Sequence, residues 1–345
     1  MLEKLPERDY SVLGVGEVML RLSPVGKERI SQSETFDKMA GGSELNVVSG
    51  ISQLGLRTGI ITKLPANEIG SFIKNKIRYS GTSDDYITYD NGDNKRLGIY
   101  YYESGAYPRV SMVSYDRAGS SFTRFRRSEL PPSVYKSTGI FHVSGITLGL
   151  GADLRSEVCG MMREFSGNGT LVSFDVNYRA ALWDEATARD TVLSILPYVN
   201  ILFVSEETLR RMLGRTGTLS EIHLSLAREY PGLKIIASTM RTVTSPTRHD
   251  FTSFITDCSE KRHFSEQPYR DIEVVDRIGS GDAYVAGALY GLIRFGNIEN
   301  AAFYGDAMSA VKNTIPGDMT VCSLEDIERV IRSHNNVGSY SEMVR

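Results

Sequence analysis

The sequence predicts an α/β fold, a doubly wound, three-layer arrangement with helices on both faces of a mainly parallel sheet and a small inserted β-sheet as a lid. Two patterns carry this reading. Aliphatic, β-branched runs alternate with segments whose apolar residues recur every three to four positions, the mark of repeated β-α units. That alternation lapses between Tyr86 and Phe125, where β-formers are broken by Asn91-Gly92, Gly105 and Pro108 and read as antiparallel hairpins. A third feature, the glycine-rich stretch Val274–Phe295 (VVDRIGSGDAYVAGALYGLIRF), marks where a ligand would sit.

The 345 residues can bury a substantial core and contain no internal repeat, low-complexity tract or interdomain linker. Residues 1–345 are therefore expected to form one domain, its lid drawn from about residues 30–40 and 86–125. Ser11–Leu20 reads as a buried first strand, interrupted at Gly14 and Gly16 where another backbone can come close. Glu17 breaks its apolar run, either as a strand-end carboxylate facing solvent or as a polar group at the ligand end of the sheet. After the polar segment 30–40, Gly41-Gly42 lead into a helix paced by Leu45, Val48, Ile51 and Leu54 and stopped at Gly55.

Arg57–Leu64 is the next strand and Asn67–Ser80 the next helix. Beyond the insert, regular order resumes at Gly139 with a strand, the helix Asp153–Phe165 and the strand Leu171–Asn177. Strand Ile201–Ser205 feeds a short helix capped by Ser205 and stopped at Gly214. Lys234–Thr239 is a further core strand, and Phe251–Thr256 and His263–Glu266 are short strands leading to the glycine-rich stretch. Helices at Ile298–Asn313 and Leu324–Ile331 and a polar tail close the chain.

Within Val274–Phe295, Ala283, Ala286, Leu289, Tyr290 and Ile293 follow a helical period. Gly279, Ser280 and Gly281 precede it and let unpaired amides at a helix N-terminus approach an anion such as phosphate. Asp282 has two readings. It can be a helix-capping carboxylate, or a general base that takes a proton from a substrate hydroxyl while the neighbouring amides stabilise a phosphoryl group in transfer.

DRIGSGDAYVAGAL resembles the C-terminal signature of the ribokinase-like (PfkB-type) carbohydrate kinases, with Arg277 where the family usually has threonine. The resemblance implies that Asp282 is the catalytic base and that Gly279, Ser280 and Gly281 form the anion hole. Two further stretches, the opening G-E-x-M-x-x-L and DVNYRxxLW from Asp175 to Trp183, are similar to 2-keto-3-deoxygluconate kinases within that family. The likeness implies sugar contacts at Gly42 and Asn46, and substrate contacts at Tyr100, at Tyr115 and Arg117 in SYDRAGSS, at Ile146 and at Arg179. Plain packing would equally explain Ile146, and cross-strand packing each tyrosine. The two arginines suit a substrate carboxylate, although Arg179 can also be read as a surface ion pair.

On the nucleotide side, the family's N-x-x-E position reads Ser205 to Thr208 here, and its glycine-rich K-x-G-x-x-G turn is replaced by Ser238, Thr239 and Arg241. Hydroxyls and a guanidinium can meet phosphate, with Arg241 in place of the usual lysine. Asn313 and Asp318 are candidates beside the adenine. ATP and Mg²⁺ are the implied cofactors, with no protein ligand for the metal assigned.

A formal net charge of −3 and a pI of about 6.0 argue against nucleic acid as a partner. Cys159, Cys258 and Cys322 have no CxxC partner, and the histidines lack metal-ligand spacing. The charged N-terminus MLEKLPERDY does not read as a signal peptide, and no apolar run reaches the roughly 20 residues of a membrane span. A cytoplasmic, membrane-free protein is expected, with self-association through the tyrosine-rich lid. The expected reaction is transfer of the ATP γ-phosphate to the C6 hydroxyl of 2-keto-3-deoxygluconate or a close sugar acid. A fructokinase or ribokinase acting on a neutral sugar, and a non-catalytic nucleotide or sugar sensor, are the alternatives.

Overall fold

In the computed structural model, which describes residues 7–245 and 247–335, the run expected as one first strand is divided between two sheets. The N-terminal stretch through residue 6 and the tail from residue 336 lie outside the described residues. β1 (Tyr10–Val15) belongs to the large sheet and β2 (Met19–Pro24) to the small one. The crossing between them is tight. A Cβ on Gly42 would meet the Glu17 carbonyl at 2.3 Å, so glycine is required there, and one on Gly16 would stand 2.1 Å from Glu44 Oε2 and push that carboxylate aside.

The small sheet has the order β3-β2-β6-β7, adding β3 (Phe36–Gly41), β6 (Ile99–Glu103) and β7 (Met112–Asp116). β4 (Thr58–Pro65) lies parallel to β1 in the large sheet. β5 (Ile87–Asp90), expected among the insert's hairpins, instead pairs in parallel with β4 at the large sheet's edge. Its Ile87 packs against the main core, which is what draws the strand there.

β8 (Thr138–Ser144), β9 (Leu171–Asp175) and β10 (Ile201–Phe203) continue the large sheet on the other side of β1. β11 (Ile235–Ser245) and β12 (Arg248–Asp257) follow as a long hairpin, and β12 also pairs with β13 (Arg262–Ser265) and β14 (Tyr269–Glu273). β14 had no counterpart in the sequence reading. The order β13-β12-β11-β10-β9-β8-β1-β4-β5 is parallel from β11 to β5. The chain winds outward from β1 in both directions, which leaves a crevice at the strands' carboxyl ends between β1 and β8.

Two buried clusters occupy the faces of this sheet. One contains helices Ser43–Gln53, Glu68–Tyr79, Ser280–Phe295 and Ile298–Asn313, and the other Ala152–Gly167, Glu185–Ile195 and Leu219–Glu229. Helix Ser280–Phe295 lies so close to Ile298–Asn313 that a Cβ on Gly287 would meet the Tyr304 carbonyl at 2.2 Å. Among the described residues no helix is long and apolar enough to cross a membrane.

Candidate active site

A cleft of about 1450 Å³ lies between the carboxyl ends of the parallel strands and the small sheet. At its centre is the N-terminus of helix Ser280–Phe295. Gly279 takes the N-cap position in a left-handed conformation, φ 81°, and no side chain caps the helix. A Cβ on Gly279 would stand 2.0 Å from the Asp318 carbonyl, whereas one on Gly281 would meet nothing within 4 Å. The helix tip is thus pressed against one turn and open to the cleft, with amides free to face an anion.

Asp282, in the first turn of that helix, is buried and still contributes to the cleft wall. Its Oδ1 accepts from Ser43 Oγ and its Oδ2 from Asn46 Nδ2, each at 2.7 Å. Burial pushes its carboxyl above the usual range, against the pull of Asn46 and Ser43. That combination suits a proton acceptor: a carboxylate held in place, made more basic, beside unused amides. Asn46 Oδ1 has no partner among the described residues, so an acceptor remains beside that carboxylate.

Two more acids approach the same point. Asp175, at the end of β9, is pushed up to about 7 by burial and the charge of Asp282, with Arg179 opposing. Glu44 is pushed up to about 7 by burial, although Thr147 and Ser144 counter it and Oε1 accepts from Ser144 N at 2.9 Å. Neither was singled out as a site residue from the sequence. Carboxylates clustered at a parallel-strand switch point are the signal that could have found them.

Arg179 lines the cleft, is exposed, and makes no ion pair among the described residues. Arg117 lines it too, but is already engaged: its Nε donates to Glu17 Oε2 at 2.9 Å, and Ser120 Oγ donates to Glu17 Oε1. Glu17 is therefore neither solvent-facing nor free. Tyr100 donates its hydroxyl to Asp318 Oδ2 and packs at a tilt, ring centroids 5.7 Å apart, against Tyr115, which stands directly across the β6–β7 ladder. Gly42 and Ile146 also line the cleft.

On the other side of the helix tip, β11 contributes some of its candidate residues to the cleft and withholds one. Thr239 and Arg241 line the cleft, while Ser238 is buried on the opposite face, where its Oγ meets His223 Nε2 at 3.0 Å. Ser205 borders the cleft, yet its Oγ accepts from Thr208 N as a helix cap. Asn313 is buried away from the cleft. Its carbonyl accepts from Val275 N and Asp276 N, and its side chain donates to the Ser309 carbonyl, so it braces the turn before the helix tip. The structure thus gathers most of the candidate residues into one cavity and leaves Ser238 and Asn313 behind its wall.

A residue missed in the sequence organises this turn. Arg21 on β2, 2% exposed, donates to Asp276 Oδ2 at 2.6 Å and to Asp318 Oδ1 at 2.8 Å, and lies 4.3 Å over the Tyr102 ring. Burial alone would lower its pKa, but Asp318 and Asp276 raise it overall. Lys312 is also fully buried and donates to the carbonyls of Asp276 and Ile315 at 3.1 and 2.9 Å.

An open doubly wound sheet, a second small sheet across its crevice and a helix tip built for an anion beside a basic carboxylate define a sugar-kinase architecture. The model of the pfkB family carbohydrate kinases matches residues 10–325, and the chain belongs to that family. It is similar to a 2-dehydro-3-deoxygalactonokinase of Haloferax volcanii, 33% identical over 92% of this chain and 95% of that one. It is also similar to a 2-dehydro-3-deoxygluconokinase of Bacillus subtilis, 25% identical over 84% and 85%. The crystal structure of 2-dehydro-3-deoxygluconokinase from Thermotoga maritima superposes with a TM-score of 0.88, at 33% identity, over 93% of this chain and 98% of that one. The protein is a carbohydrate kinase with a ribokinase-like fold.

Proposed function

We propose that this kinase transfers the γ-phosphate of ATP to the C6 hydroxyl of 2-keto-3-deoxygluconate or its galactonate epimer. The observation that carries the chemistry is Asp282: a buried, raised carboxylate in the first turn of an uncapped helix, reaching the cleft. In this reading Asp282 takes the hydroxyl proton, and the amides around Gly281 hold the charge spread over the phosphoryl oxygens. Asn46, through its spare Oδ1, accepts from a sugar hydroxyl.

Arg179 supports an acid over a neutral sugar, since an unpaired guanidinium on the cleft wall suits a carboxylate. Arg117 reaches the substrate only together with Glu17, so the pair as a unit offers both a donor and an acceptor to sugar hydroxyls. The small sheet formed by β2, β3, β6 and β7 is read as a lid that shields the reacting phosphate from water. Its exposed Tyr107, Val110, Met112 and Tyr115 favour self-association along β7.

Among the described residues no group of three or more His, Cys, Asp or Glu is arranged to hold a metal ion. That fits Mg²⁺ carried on the nucleotide's own oxygens, where it would neutralise phosphate charge, rather than in a dedicated protein cage. A coupled ADP-release assay over a panel of sugar acids and neutral sugars tests the assignment. Turnover on a 2-keto-3-deoxy sugar acid well above that on fructose or ribose is expected; the reverse order would overturn it.

A further inference from the structure

Among the residues lining the cleft, two cationic side chains near each other have no counter-ion among the described residues. Arg277 sits in the turn entering helix Ser280–Phe295, and Arg241 on β11; both line the cleft. In the β11–β12 ladder Arg241 is opposite Phe251 and Val243 is opposite His249, so Arg241 and His249 are diagonal neighbours on one face of the hairpin. His249 lines the cleft as well. It is 1% exposed and its Nδ1 has no partner among the described residues.

No ion pair or side-chain hydrogen bond holds either guanidinium among the described residues, although the protein pairs Arg21, Arg117 and Arg124 with acids. Burial and then the charge of Arg277 lower Arg241, and burial followed by Arg241 and Arg277 lowers His249, with Asp250 opposing. Holding two like charges near each other in a partly enclosed wall is unfavourable until a multivalent anion arrives. The open amides of the helix tip face the same cavity, so the anion must be long enough to touch both.

We infer that Arg241 and Arg277 form a two-guanidinium clamp for the phosphate chain of the nucleoside triphosphate, with His249 Nδ1 as a further polar contact beside it. The γ-phosphate reaches the helix tip, and the phosphates behind it lie between the guanidiniums. This rests on the kinase reading for its direction, from clamp to Asp282, but the clamp itself is a statement about anion binding.

The test uses inorganic tripolyphosphate, which has neither sugar nor base, in calorimetric titrations of the full chain, alongside steady-state kinetics. Arg241→Ala and Arg277→Ala should each weaken tripolyphosphate binding about tenfold or more, and the wild-type affinity should fall as salt is raised. Each should raise KM for ATP while leaving KM for the sugar acid within about twofold, and Arg277→Lys should recover part of the loss. Unchanged tripolyphosphate binding in both alanine variants, or equal rises in both KM values, would overturn the clamp. Asp282→Asn separates the two readings: it should abolish turnover yet bind tripolyphosphate like the wild type. Tripolyphosphate binding that needs both arginines, in a protein inactive on every sugar acid, would uphold the clamp and sink the substrate assignment.

Discussion

Asn46 donates through Nδ2 to Asp282 Oδ2 at 2.7 Å, joining the start of helix Ser43–Gln53 to the tip of helix Ser280–Phe295. This bond favours the charged carboxylate, while burial favours the neutral one. The carboxylate is therefore tuned by opposing effects, of which the bond from Asn46 can be removed by mutation.

The first expectation concerns Asp282 itself. Asp282→Asn keeps the shape and removes the proton acceptor, so kcat should fall by about 10²-fold or more with little change in the dissociation constant for the sugar acid. Near-normal turnover would remove Asp282 from the mechanism.

The second concerns pH. Asp282 must be deprotonated to act, so kcat/KM should rise with pH along an acid limb set above the usual carboxylate range. Asn46→Ala deletes a bond that lowers the Asp282 pKa. The limb should move to higher pH, and a pH–rate profile that shifts downward or not at all would contradict the tuning.

Arg179 and Arg117 should separate by phenotype. Arg179 is exposed and unpaired, so Arg179→Ala should raise KM for the acid and leave the melting temperature nearly unchanged. Arg117→Ala strands Glu17, 4% exposed, without its cation. A loss of about 3 kcal/mol in stability is expected, read by denaturant unfolding; equal stability of the two variants would argue that Glu17 finds another partner.

Stability should also respond to two acids remote from the cleft. Burial and then Asp306 push Glu266 up to about 8, and burial pushes Asp306 up to about 7, opposed by Ser253. A raised carboxyl contributes stability in its protonated form below the unfolded pKa, and that contribution is lost as pH climbs through the folded value. Glu266→Gln should therefore raise the melting temperature at pH 9 by about 2 °C or more and do little at pH 5. A gain confined to pH 5 would reverse the sign.

Most of the sheet was legible because its strands are continuous apolar runs and its helices have a steady period. Asp282, Gly279 and Asn46 were legible because their chemistry is local to a motif. What escaped depends on contacts distant in sequence. The Arg21 grip on Asp276 and Asp318 spans 255 and 297 positions, and nothing around Arg21 marks it as buried. The division of Ser11–Leu20 between two sheets was hidden for a similar reason, since Gly16 and Glu17 look like a strand blemish until Glu44 and Arg117 are brought against them. Ser238 lies behind the cleft wall because its hydroxyl meets His223, a partner 15 positions away that nothing beside Ser238 in the sequence announces.

Anchoring at Asp318 has a mechanical outcome. Arg21 ties β2, and Tyr100 ties β6, to the same carboxylate beside the helix tip. The inner pair of strands cannot swing clear without disturbing the turn at the helix tip, so movement of the small sheet is confined to its outer margin, where β7 is exposed along its whole length. In the proposed reaction, sugar admission and phosphate seating share one fastening, and a change that loosens the first will be felt in the second.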